Sequence, residues 1–278
     1  MIEALQFDFM RHALVAGALV SFACGIIGVY VVVNRLVFVS GGIAHAAYGG
    51  IGLGYFLGIN PVWGAIAFSL AAALGMGLVQ RKTRQRADTI IGVMWAIGMA
   101  VGILFVDLTR GYVVDLMSYL FGSILTVPRS DLVVMAILDV VIVTLVVVFY
   151  KELLAMSFDE TFATVENVPV DAIYVILLCL IALTVVMLMR IVGLILVIAL
   201  LTMPAAISEQ FTSSLKKMMA LSIILGIIFT TTGLLLSYAL NLTSGATIIL
   251  VSGTAFLLSL LYKALTRRRA RMSDAALR

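Results

Sequence analysis

His45 stands in the stretch VSGGIAHAAYGGIGL (39–53), an imidazole among glycine, alanine and apolar side chains. A neutral imidazole is a good ligand for zinc, iron and related transition metals. On a helix, Gly41, His45, Gly49 and Gly52 fall at i, i+4, i+8 and i+11, so they share one face. Small residues on that face either admit a closely approaching helix or leave a cavity beside the ring. The plainer reading of His45 is a structural hydrogen bond to a neighbouring helix. Asp139, in AILDVVIV, is a second ionisable residue inside an apolar run. Charges placed there are costly and tend to face a water path or a partner. Glu209 follows LLTMPAAIS, where Pro204 is expected to break the helix and free backbone carbonyls. Glu209 then falls at a helix mouth. His12 lies near the end of the first apolar run and reads as solvated, and Met and aromatic residues scattered through the runs read as packing.

Several chemistries are absent from the sequence. It contains no G-x-x-x-x-G-K-[ST], so it lacks the loop that cradles nucleotide phosphates, and no H-E-x-x-H, so a zinc protease is not expected. With two histidines and two distant cysteines, a closed structural zinc site within one chain is not expected either. Cys24 and Cys179 lie in separate apolar runs and read as free buried thiols.

The elements that carry these residues are membrane spans. The 278 residues are 63% hydrophobic and 12% charged, whereas soluble domains have about 25% charged residues. Nine segments are candidates: 10–33, 38–58, 62–80, 89–108, 132–150, 172–189, 191–207, 217–240 and 246–264. The seventh is short and separated from the sixth only by Arg190, so eight to nine spans are expected in an all-helical polytopic fold. The first run has no clear cleavage site and reads as a retained span. If RKTRQR (81–86) and TRRRAR (266–271) are cytoplasmic, only Arg11, Arg110, Arg129 and Arg190 of the 18 basic residues fall outside. That bias puts the N-terminus outside and the C-terminus inside. It also accounts for the net charge of +4 without invoking nucleic acid. Outside, 115–127 is expected to form an amphipathic interfacial helix. Inside, KELLAMSFDETFATVENVPVD (151–171) carries five acids against Lys151, with apolar residues interleaved. It reads as a short helix that docks on a protein.

Five stretches together resemble one family, the zinc/manganese/iron ABC-importer permeases. They are 9–58, VDLMSYLFGSIL (114–125), SFDETFATVENVPV (157–170), VGLILVIALLTMPAAIS (192–208) and LLLSYALNLTSGATIILVSGTAFLLSLL (234–261), in the family's order. The resemblance implies a single permease domain over 1–278 in a bacterial or archaeal cell membrane. It implies pairing with a second copy, two cytoplasmic ATPase subunits below and an external metal-binding protein above. ATP hydrolysis would then belong to another chain, and no cofactor would be bound permanently. The cargo would be a divalent metal ion, zinc or manganese, moved by alternating access. Residues 153–170 would be the coupling segment, with Phe158, Asp159, Glu160 and Phe162 contacting the ATPase and Phe158 and Phe162 as apolar anchors at i and i+4.

The sequence departs from the family where cations are expected to bind. The usual acid four positions before the histidine is Gly41, the Asp of the later Asp-x-x-x-Gly motif is Asn241, and the acid of LFGD is Ser123. His45 therefore carries over as a residue of the metal path, with Asp139 and Asn241 as secondary candidates; Asp139, a carbonyl or the second copy could supply the missing charge. The missing acids keep an iron or metal-chelate importer as an alternative. A secondary transporter would need more midplane carboxylates and inverted repeats, and a membrane enzyme would need a paired acid–base or nucleophile constellation.

Overall fold

The computed structural model describes residues 6–82, 87–109, 122, 124–191, 193–194 and 197–276. Regular structure among them is helical throughout: α1 (Asp8–Val33), α2 (Val37–Leu57), α3 (Pro61–Lys82), α4 (Ala87–Asp107), a 3-10 turn (Ile124–Thr126), α5 (Arg129–Val148), α6 (Tyr150–Phe158), α7 (Glu160–Val165), α8 (Val170–Ile191), α9 (Val197–Phe211), α10 (Leu215–Leu240) and α11 (Ser244–Ala276). Eight of these are long and apolar enough to cross a bilayer. The predicted interfacial helix over 115–127 lies outside the described residues, apart from Gly122 and the 3-10 turn and the residue that follows it.

Burial sorts the spans. α1, α2 and α8 form the centre, while α4 and α11 are the most exposed to the surroundings. α2 is the least apolar of the spans because of its glycines, yet it is among the most buried. Those glycines set how closely α4 packs. A Cβ placed on Gly98 of α4 would sit 2.5 Å from the Cα of Ala46, and one on Gly49 would sit 2.9 Å from the Gly98 carbonyl oxygen. Gly52 and Gly102 abut in the same way. The G-x-x-x-G of α4 thus interlocks with the small-residue face of α2, the standard way for lipid-immersed helices to gain van der Waals contact.

The seventh segment differs from its expectation. α8 continues to Ile191, and α9 begins at Val197 and runs through Pro204 to Phe211. Pro204 removes one backbone donor without ending the helix. It is buried, and the Ser208 hydroxyl donates to its carbonyl at 2.8 Å. One turn earlier, Leu201 packs its backbone against Gly28 of α1, so neighbours hold the helix together where the proline weakens it. The 15 residues of α9 span about 22 Å, short of a hydrocarbon core of about 30 Å.

The segment over 151–171, expected in the cytoplasm, also differs in detail. It is two short helices rather than one. Asp159 is extended (φ −155°, ψ 106°), and its side chain accepts from the amides of Thr161 and Phe162 at 2.9 and 3.0 Å. It caps α7, so Phe158 ends one helix while Phe162 lies on the next, and the i, i+4 pairing on a single helix does not hold. An aspartate at a β-region N-cap satisfies amides that the first turn leaves orphaned, which is why the chain breaks there.

Candidate functional site

The His45 ring is half-buried on α2. It stacks on Trp95 of α4, with ring centroids 3.7 Å apart and planes inclined by 17°. Its Nδ1 is buried without a hydrogen-bond partner. One turn earlier, a Cβ on Gly41 would lie 2.7 Å from Cδ1 of Ile198 on α9 and 3.6 Å from the Trp95 ring. Gly49 and Gly52 on this side of α2 serve close approach of α4, and Gly41 borders Ile198 of α9 and Trp95.

The other candidates are not gathered at His45. Asp139 is buried, with both carboxylate oxygens unpartnered, in electrostatic reach of Cys24 on α1. α5 packs on α1 and α8, whereas α2 packs chiefly on α4 and α3. Asn241 is exposed and caps α10 with φ 53° and ψ 43°. Asparagine tolerates this left-handed conformation better than most residues, which gives it a structural reason to be there. Ser123 lies outside the described residues. No carboxylate pairs with His45, and no cluster of three or more metal-ligating side chains occurs, among the described residues. His12 is half-buried and its Nε2 accepts from Nε of Arg129 at 3.2 Å, so it meets a partner at the helix end rather than standing fully solvated.

A second candidate surface lies at the other end of α9. Val33, Phe158, Glu209, Phe211 and Leu215 line an open cavity of about 460 Å³. Phe158, Phe162, Val165 and Phe211 are all more than half exposed. Glu160 and Asp159 flank the same segment, and Glu209 is exposed at the cavity rim. Two links run from this surface into the bundle. The Asn34 amide donates to the Ser157 hydroxyl at 3.0 Å and to the Tyr30 carbonyl at 2.9 Å, tying α6 to the turn that begins α2. α9 itself runs from Phe211, at the cavity, to Ile198, beside Gly41.

Trp95, which sequence reasoning assigned only to packing, carries part of this arrangement, as do Ile198 and Phe211, which it did not single out. A signal for Trp95 existed. Trp95, Gly98 and Gly102 fall at i, i+3 and i+7, so the tryptophan shares the small-residue face that meets α2.

Comparison with known proteins supplies an independent frame. The family model described as the ABC 3 transport family matches residues 6–263. The uncharacterised membrane protein slr2045 of Synechocystis sp. is 59% identical over 263 residues, 95% of this chain and 94% of that one. The manganese transport system membrane protein MntC of Listeria monocytogenes is 34% identical over 258 residues, 93% of this chain and 92% of that one. Among solved structures, a chain of PsaBC from Streptococcus pneumoniae in complex with Fab aligns with a TM-score of 0.84 at 32% identity, covering 93% of each chain.

Proposed function

The chain belongs to the ABC 3 transport family, and from that premise we propose that His45 lines the route by which manganese or zinc crosses this permease. The protein is a multi-pass bacterial membrane protein, the transmembrane permease subunit of an ATP-binding-cassette metal importer. The observation that carries the site is a half-buried imidazole on a central helix: Nδ1 is enclosed without a partner, so Nε2 is the nitrogen that would meet the ion. Between the two cargo metals, the manganese transporters among the relatives favour manganese over zinc and over an iron chelate.

In this reading the whole chain is one permease domain, and a second copy pairs with it. The described residues bring no carboxylate to His45, so a residue from that second copy would be the source of further ligands. Two ATPase subunits bind the exposed Phe158–Phe162 surface, and an external metal-binding protein delivers the ion from the opposite face. The permease itself makes and breaks no covalent bond. ATP-driven motion enters at α6 and α7 and reaches α2 along the Asn34–Ser157 bond and along α9, alternately opening the path outward and inward.

The cytoplasmic placement of the aromatic surface follows from the basic-residue bias. Glu166 and Ile59 are exposed at opposite expected faces. In a Cys24→Ala, Cys179→Ala background, Ile59→Cys should react with a membrane-impermeant maleimide in intact cells, and Glu166→Cys only after lysis. The reverse pattern would overturn the orientation.

The site reading is tested at position 41. Gly41→Asp alone pushes its Cβ onto Ile198 Cδ1, the movable end of a side chain. Ile198→Val removes that atom. The double variant Gly41→Asp, Ile198→Val should therefore place a carboxylate one turn from the imidazole and raise uptake at low manganese concentration. Uptake unchanged or lower in a folded double variant would count against a cation path at His45.

A further inference from the structure

Resting on the assignment of His45 to the ion path, we infer that Trp95 is the positioning residue that orients the His45 ring for metal binding. A metal-ligating histidine is ordinarily oriented by a hydrogen bond from its second ring nitrogen to a carboxylate, carbonyl or water. His45 lacks that partner at Nδ1, which is buried and unbonded. Its plane is set instead by the indole, at a centroid separation of 3.7 Å.

The indole is itself held in place. One turn along α4, Gly98 lies so close to α2 that an added Cβ would sit 3.1 Å from the carbonyl oxygen of His45. The backbones of the two helices are therefore locked at the level of the stacked rings. Next to them, Ile198 and Trp95 both border Gly41, which closes one side of the imidazole. These contacts leave the ring little freedom to turn about χ2.

The stack also favours the loaded state. A metal-bound imidazole carries positive charge, and tryptophan has the best aromatic face for a cation within about 6 Å. An apolar side chain of similar bulk would fill the space without supplying that attraction. The inference therefore concerns the π face, not only the volume, of residue 95.

The test uses the full permease chain in lipid nanodiscs with manganese(II) chloride, bound metal being read from the loss of the free-ion electron paramagnetic resonance signal. Trp95→Leu keeps apolar bulk without a π face, and Trp95→Phe keeps a smaller π face. The expected result is a dissociation constant about tenfold weaker for Trp95→Leu, the lower end of what loss of an orienting partner costs, with Trp95→Phe markedly closer to wild type. The His45-dependent sites per chain should stay the same in all three. Equal affinity in wild type and Trp95→Leu, or equal weakening in Leu and Phe, overturns the role of Trp95 while leaving His45 in place. Manganese binding that is indifferent to His45→Ala, or wild-type chain that binds none, overturns the reading of His45 and this inference with it.

Discussion

Replacing His45 with alanine should abolish metal uptake while the permease still inserts and folds. The expected loss is at least about 100-fold, because removing even an outer partner of a metal ligand costs about 10- to 100-fold and this substitution would remove the proposed ligand itself. The effect should be larger here than in a site that shares its charge with acids, since position 41 is glycine and no carboxylate pairs with the ring among the described residues. Folding should survive. The backbone contacts that join α2 to α4 are made by Ala46, Gly49 and Gly52 with Gly98 and Gly102, and none needs the imidazole. Uptake falling together with membrane-inserted protein would indicate a packing role. Wild-type uptake with unchanged metal preference would place the path elsewhere, and Asp139 would then be the next residue to change.

The second large effect is expected at the exposed Phe158–Phe162 surface. Phe158 and Phe162 are 70% and 58% exposed, on two helices joined by a capping aspartate. Aromatic anchors in a protein interface commonly contribute about 2 kcal/mol or more each. Phe158→Asp together with Phe162→Asp should therefore weaken ATPase association by on the order of a thousandfold. The new charges also enter a segment already rich in acids, with Glu152, Asp159, Glu160, Glu166 and Asp171. Neither phenylalanine is in the buried core, so the double variant should extract and purify as wild type does. Co-purification of the ATPase in normal yield, with normal uptake, would remove this surface from the coupling route.

The fold was legible because hydrophobic run length dictates spanning helices so directly. The eight long helices match eight of the nine predicted segments within a few residues. The mismatch at α9 arose because a proline was weighed by its missing donor alone. Neighbouring contacts at Gly28 and Ser208, which no single-sequence pattern displays, keep that helix continuous. The split between α6 and α7 was partly visible, since an aspartate two and three residues before amides that need partners is a capping signature. Phe158 and Phe162, four residues apart, present a competing helical pattern across it.

The candidate site was half legible. His45 stood out because an imidazole in an apolar run is costly. What surrounds it could not be read from α2 alone, because Trp95 and Ile198 come from helices distant in sequence. The glycine face admits two meanings, room for an ion and room for a helix, and the close approach of α4 at Gly49 and Gly52 is visible only in the tertiary packing. Asn241 looked like a lost acid in a motif, whereas its positive φ gives it a structural reason to be asparagine.

The central claim is that this chain moves a divalent metal only when ATP is hydrolysed by a partner. The direct measurement is manganese accumulation in proteoliposomes that hold the permease with its ATPase and external binding protein, with and without ATP. The account predicts accumulation that requires ATP, the ATPase subunits and His45. Manganese accumulation by the permease alone, driven by a proton or sodium gradient without ATP, would contradict it.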